Sequence, residues 1–274
     1  MPGTLYIVAT PIGNLGDFSY RAAQILAQVS AVACEDTRQT AKLLQHYGIR
    51  TPTTSLHEHN ERQKLESLLG RLEAGESIAL VSDAGTPLIS DPGFPLVREA
   101  RLRGIPVVPL PGASAVTTAL CASGLPTDAF YFGGFLPPKT AARRRALEAL
   151  SALDVTLIFY EAPHRIRETL ADVAAVLPHR PVVVARELTK LHEEFASGAP
   201  VELAKSITER GEITLLIGKA DASLAPAPPE DELKRHYQEL ISQGEAPSAA
   251  AKKIAHRFGL TKREVYKLGL PSTG

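Results

Sequence analysis

Short apolar runs alternate along this chain with stretches whose apolar residues recur every three or four positions. Leu5-Tyr-Ile-Val-Ala9 reads as a buried strand, and Phe18, Ala22, Ile25 and Val29 then fall on one face of a helix. The pattern repeats: strand Ala31–Cys34, a helix carrying Leu43, Leu44 and Tyr47, and a short strand near Thr53. A helix with Leu65, Leu68, Leu69 and Leu72 follows, then strand Ile78–Val81, a helix near Pro95–Arg103, strand Val107–Val108 and a helix from Ser114 to Ser123. Such alternation predicts an α/β fold with a mainly parallel sheet covered by helices.

A turn cluster, Gly124-Leu-Pro-Thr-Asp128, marks a joint between two α/β lobes. Beyond it strands are expected at 130–132, 156–160, 182–185, 194–196 and 213–217, with helices at 141–150 and 163–176. These strands lie closer together in sequence, which predicts a mixed sheet with antiparallel pairs. Residues 220–229 (ADASLAPAPP) read as a linker. Three helical stretches follow near 231–243, 248–258 and 261–268. Thr261 and Glu264 form a capping-box pattern after Gly259-Leu260, so the C-terminal part has a helix-turn-helix outline. The expected domains are 1–123, 124–219 and 230–274, with the linker between the last two.

Composition narrows the class. The 274 residues are 44% hydrophobic and 22% charged, which suits a packed globular protein rather than a disordered one. Thirty basic residues balance thirty acidic ones, so bulk charge does not drive nucleic-acid binding. Cys34 and Cys121 sit in apolar runs and are expected as buried free thiols. The N-terminal segment has no signal-peptide pattern, and no apolar run reaches the roughly 18–20 residues of a spanning helix. A cytoplasmic protein without membrane contact is the expectation.

Three loops carry the candidate chemistry. Thr10-Pro-Ile-Gly-Asn-Leu-Gly-Asp17 follows the first strand, residues 82–93 (SDAGTPLISDPG) the fourth, and Pro111-Gly-Ala-Ser-Ala115 the fifth. Small residues let backbone approach a ligand, and ligands of open α/β sheets bind beyond the C-terminal ends of the strands. Neither a G-x-G-x-x-G fingerprint nor a P-loop is present. A serine-hydrolase reading of Ser114 is weak, since the elbow lacks its closing glycine.

These motifs, together with EDTR, FYEAPHR and ARELTKLHEE, resemble the tetrapyrrole methylase family of S-adenosylmethionine-dependent methyltransferases over roughly residues 4–218. In detail they are similar to the branch that methylates the ribose 2′-hydroxyl of a cytidine in 16S ribosomal RNA. The resemblance implies two α/β lobes with the donor in the cleft between them, and a homodimer acting on 16S RNA or the small ribosomal subunit. It places donor contacts at Pro11, Ala84, Gly85, Thr86, Ile89, Ser114, Ala115, Glu161 and Leu188. Thr86 stands where the family has aspartate, and Asp83 is a substitute for its polar contacts. No metal is implied. A corrin or porphyrin methylase and a non-catalytic RNA-binding assembly factor are the alternatives. The appended basic region disfavours the first of them.

A ribose hydroxyl is a poor nucleophile at neutral pH, so a general base is expected. Glu35, Asp36, Glu161, His164 and Glu187 are candidates, with Glu187 favoured and Glu161 next. Residues 246–274 carry six Lys or Arg against one acid, a local excess of +5 in a neutral chain. Phosphate contacts are therefore expected at Lys252, Lys253, Arg257, Lys262 and Arg263. A second set is expected at Lys139, Arg143, Arg144, Arg145 and Arg165.

Overall fold

The computed structural model describes residues 1–220, 230–257, 260 and 265. Residues 221–229 of the linker expected at 220–229, and Thr261, Lys262, Arg263, Glu264 and Lys267 of the capped final helix, lie outside the described residues. So does the side chain of Arg257. The chain divides into two units. The first comprises Met1–Ser123 with Ala185–Glu194, and the second comprises Gly124–Val184 with the chain from Phe195 onward.

The first unit holds strands β1 (Leu5–Val8), β2 (Ala31–Cys34), β3 (Thr53–Ser55), β4 (Ile78–Val81) and β5 (Val107–Leu110). Their order is β3-β2-β4-β1-β5, and every pair is parallel. Helices α1 (Tyr20–Gln28), α2 (Thr37–His46), α3 (Glu61–Glu73), α4 (Phe94–Leu102) and α5 (Ala115–Ala122) complete it. All residues of β2 and β4 are buried, as parallel strands covered on both faces must be. Alternate residues serve opposite layers. Leu5, Ile7, Ala33, Ile78 and Leu80 pack with Leu68, Leu69 and Leu72 of α3 and Leu96 of α4. Val8, Val32, Cys34, Ala79 and Val81 pack with Ala22 and Leu26 of α1 and Leu43 and Leu44 of α2.

The order β4-β1-β5 places three neighbouring parallel strands side by side, so the loops that follow them leave from one edge. Caps fix where the helices start. Ser19 accepts from the Ala22 amide at 3.1 Å ahead of α1, and Asp36 from the Arg38 amide at 2.8 Å ahead of α2.

The second unit contains β6 (Phe130–Phe135), α6 (Thr140–Ala149), β7 (Thr156–Glu161), α7 (Ile166–Val176), β8 (Val182–Arg186), β9 (Glu194–Gly198), α8 (Pro200–Ser206) and β10 (Ile213–Ile217). The sheet order is β6-β7-β10-β8-β9; β6 runs parallel to β7, and β10 antiparallel to it. One face packs Leu157, Phe159, Val182, Val184 and Leu215 against Ile166, Leu170 and Val173 of α7 and Leu203 of α8. Helices α9 (Glu230–Ser242) and α10 (Pro247–Arg257) share their own core of Leu233, Tyr237, Ala250, Ala251, Ile254 and Val265.

Four expectations need correction. The ARELTKLHEE segment belongs with the first unit from Ala185 to Glu194, although its sequence position lies past the joint. Helix α8 is absent from the sequence reading, because seven residues offer barely two turns of periodicity. The 163–176 helix begins as a 3-10 turn at Pro163–Arg165. Cys121 is exposed on α5, whereas Cys34 is buried, and both are free.

Candidate functional site

The first loop begins where β1 ends, and hydrogen bonds stitch it to the second. The Thr10 amide donates to the Gly85 carbonyl at 2.9 Å, and the Gly85 amide returns a bond to the Thr10 carbonyl at 3.0 Å. The Thr10 hydroxyl donates to the Ser82 carbonyl at 3.0 Å, and the Ser82 hydroxyl to that of Gly85 at 2.9 Å. Gly85 has φ +83°, and a Cβ there would lie 3.3 Å from Ile12 Cγ2, so a side chain meets both backbone strain and crowding.

The second loop is tied in turn to the third. The Thr86 hydroxyl donates to the Ala113 carbonyl at 3.0 Å. Thr86 thus does a job its sequence position did not announce. In place of a charge it supplies a neutral clamp between loops. Gly112 presses on the first strand's end, since a Cβ there would lie 2.6 Å from Ala9 Cβ. Ser114 precedes the first residue of α5, Ala115, without a side-chain capping bond.

The segment 185–194 supplies a fourth piece of the same unit. A Cβ on Gly13 would lie 2.8 Å from Thr189 Oγ1 and 2.9 Å from the Leu188 carbonyl. Glu187 and Thr189 both have positive φ, 52° and 66°, without being glycine. Such strain persists only where the surroundings hold it, and it concentrates at functional sites. Thr189 Oγ1 is buried and has no hydrogen-bond partner among the described residues. Pro11, Ala84, Gly85, Thr86, Ser114 and Leu188 therefore sit in loops of one unit, and Ala115 opens its helix α5. Ile89 lies in the second loop and is 39% exposed.

Acidic side chains gather on the loops after β2 and β4. Asp83 Oδ1 accepts from the Asp36 amide at 3.1 Å. Bonds from Arg38 hold the Asp36 carboxyl down at about 2. Burial, followed by the charge of Asp83, lifts Glu35 above the ordinary carboxylate range. Burial and the nearby charge of Glu35 push Asp91 up to about 6, against a bond with Ser82. Asp91 was not among the titratable candidates; its place inside a Gly-Pro loop gave no hint of burial. Among the described residues no cluster of His, Cys, Asp and Glu is placed to hold a metal ion.

Glu161 corrects an expectation. Its side chain is fully buried at the end of β7 in the second unit. Oε1 accepts from the Ala162 amide at 2.7 Å and from Arg165 Nε at 2.9 Å, and Oε2 accepts from the Thr169 hydroxyl at 2.6 Å. A carboxylate so enclosed is engaged by its own segment and pins the FYEAPHR turn. Arg165 is correspondingly held by Glu161 rather than free for phosphate. Glu187 differs, being part-exposed and paired with Lys190 at 2.9 Å.

The basic cluster on α6 also splits. Arg143 is wholly buried, its Nε 2.6 Å from Asp172 Oδ2, so it is no phosphate contact. Arg144 reaches the other oxygen of Asp172 at 2.6 Å while half-exposed. Lys139 and Arg145 are exposed, as are Lys252 and Lys253 of α10, where Lys253 pairs with Glu245.

A parallel five-stranded sheet with joined glycine loops at one edge, followed by a mixed sheet, describes a family of methyl-transferring enzymes. The chain belongs to it: residues 4–204 match the Tetrapyrrole (Corrin/Porphyrin) Methylases. The chain is 50% identical over 277 residues to "Ribosomal RNA small subunit methyltransferase I" of Vibrio cholerae, covering 98% of this chain and 95% of that protein. It is 46% identical over 272 residues to the protein of the same name from Synechocystis, covering 98% of each. The counterpart in Escherichia coli O157:H7 is 49% identical over 282 residues, 99% of this chain and 96% of the relative. Solved structures share the fold at lower identity. Uroporphyrin-III C-methyltransferase from Thermus thermophilus, complexed with S-adenyl homocysteine, aligns at TM-score 0.56 and 17% identity, covering 79% of this chain and 97% of that one. Diphthine synthase aligns at 0.61 and 14%, covering 79% and 90%. Among the described residues no helix is long and apolar enough to cross a membrane.

Proposed function

We propose that this chain transfers the methyl group of S-adenosylmethionine to the ribose 2′-hydroxyl of a cytidine in 16S ribosomal RNA, acting as a homodimer on that RNA or on the small ribosomal subunit. The observation that carries the reading is the bonding of Thr10 to Gly85 and of Thr86 to Ala113, which ties the small-residue backbone of three loops together at one sheet edge. The near-complete coverage of relatives named for small-subunit ribosomal RNA supports the substrate.

The residues fit the donor. Small residues at Ala84-Gly85 and Ser114-Ala115, beside Pro11, leave room for a flat base and a zwitterion to approach the backbone closely. The orphaned Thr189 hydroxyl, beside Leu188, lacks the partner that a bound polar group provides. The donor supplies an activated methyl on a sulfonium. Asp83, exposed on the second loop, places an acidic side chain at this edge for a cationic sulfur. The chain's own part is chiefly alignment, which accounts for much of the rate in a direct displacement.

Glu187 takes the ribose proton in this reading. Glu187 is part-exposed and lies 2.9 Å from Lys190, and its strained backbone fixes its direction. Lys139, Arg144, Arg145, Lys252 and Lys253 serve phosphates. The test is tritiated methyl transfer to small subunits from cells lacking this protein, with mapping of the labelled sugar. Label on a cytidine 2′-oxygen of 16S RNA supports the reading; no label, or label elsewhere, refutes it.

A further inference from the structure

Strand β6 is an edge strand, yet it presents aromatic rings where edges are commonly blunted by charge. Phe130 is 47% exposed, Tyr131 41% and Phe135 57%. In a regular strand Phe132 and Phe135, three apart, would face opposite sides of the sheet. Here they do not. Pairing advances from Phe132↔Ile158 to Phe135↔Tyr160, so three steps on β6 match two on β7. This is a β-bulge, a device that re-aims side chains.

The bulge is written into Gly133-Gly134. Gly134 has φ +62°, and a Cβ on Gly133 would overlap the Phe159 ring and lie 2.9 Å from Tyr131 Cε1. Both phenylalanines consequently meet Tyr160 edge-on, Phe132 at 5.0 Å and 66° and Phe135 at 5.6 Å and 62°. These are favourable ring geometries that hold Phe135 in place while leaving over half of it in solvent. A rigid exposed ring has already lost the rotamer freedom that binding otherwise removes.

Cations adjoin this ring in sequence. After Pro137-Pro138 come exposed Lys139 and, on α6, half-exposed Arg144 and exposed Arg145. Arg143 points inward from the same helix, donating to the Pro138 carbonyl at 3.2 Å and to Asp172 at 2.6 Å, which anchors the segment. An exposed aromatic face followed closely in the chain by exposed cations supplies both elements that hold unpaired nucleotides, stacking and phosphate attraction.

We propose that Phe135, braced by Phe132 and Tyr160, is a stacking platform for one unpaired base of the RNA substrate, with Lys139 and Arg145 receiving the adjoining phosphates. The inference rests on the RNA reading above and adds to it a recognition site: the RNA is bound single-stranded at this surface. Binding there is set by base stacking as well as by charge.

The test measures full-length chain binding to a labelled single-stranded RNA and to its duplex, alongside methyl transfer to small subunits. Phe135→Ala and Phe135→Leu are each expected to weaken single-strand binding about 5- to 150-fold. KM for subunits should rise while kcat, S-adenosylmethionine affinity and duplex binding stay close to wild type. Phe135→Tyr keeps the ring and should restore binding. Phe135→Leu preserves apolar bulk, so loss in that variant comes from the missing aromatic face rather than from a fold defect. Unchanged single-strand affinity in both variants overturns the platform. So does a change of oligomeric state in sedimentation with RNA affinity per chain unaltered, which would make the patch a contact between copies. A wild-type chain that transfers no methyl to subunits and binds no RNA contradicts the RNA reading itself.

Discussion

The hydroxyl of Thr86 donates to the carbonyl of Ala113 at 3.0 Å, joining the loop after β4 to the loop after β5. Removing it by Thr86→Val leaves that carbonyl without its partner and frees the two loops from each other. A single neutral hydrogen bond contributes about 0.5–1.5 kcal/mol. Donor affinity should therefore fall about 2- to 12-fold by calorimetry, and Thr86→Ser should hold it near wild type.

Gly112 sits against the end of β1 with no room for a methyl group. Overpacking of this kind costs about 1–3 kcal/mol. Gly112→Ala should lower the urea midpoint by a corresponding amount and weaken donor binding together with it. A normal midpoint would show that Ala9 and the first loop yield easily.

Arg143 and Arg144 predict opposite outcomes although they are neighbours. Arg143→Ala removes the buried partner of Asp172, leaving half-exposed Arg144 bonded to it, and should destabilise the second unit by about 3 kcal/mol. Arg144→Ala, at a half-exposed position, should leave stability within about 1 kcal/mol while weakening RNA binding and flattening its salt dependence. Equilibrium unfolding and salt-titrated binding of both variants separate the two roles.

Asp91 should give the fold a pH signature. Its carboxyl is raised from 3.8 to about 6 in the folded chain, so the folded state holds this proton more tightly than the unfolded one. That contribution is complete below the unfolded value and disappears as pH rises through about 6. Asp91 is partly solvated, so the screened effect is about 1 kcal/mol. Asp91→Asn should remove that slope between pH 4 and 6, and an unaltered slope would assign it to other groups.

Glu187→Gln should reduce kcat for methyl transfer by about 100-fold or more with donor affinity retained. Near-normal turnover would take the proton-acceptor role away from Glu187.

The sequence exposed much of this architecture because strands buried on both faces are nearly uninterrupted apolar runs, as Ile78–Val81 is. The glycine loops were equally plain. What stayed hidden were relationships. Nothing in the spacing says that β4, β1 and β5 lie side by side, or that Ala185–Glu194 belongs with the first unit. Positive φ at Leu88, Ser90, Glu187 and Thr189 has no signature, since those residue types do not favour it. Three consecutive arginines read as an exposed set for phosphates. Only Asp172, twenty-nine positions beyond Arg143, draws one of them inside. Glu161 likewise looked reactive until Arg165 and Thr169 enclosed it.

The most direct test is titration of the purified chain with S-adenosylhomocysteine by calorimetry, beside Gly85→Val. A saturable isotherm with one site per chain, abolished by a side chain at Gly85, is the predicted result. A flat wild-type titration, or a Gly85→Val isotherm indistinguishable from wild type, would contradict the placement of the donor on these loops.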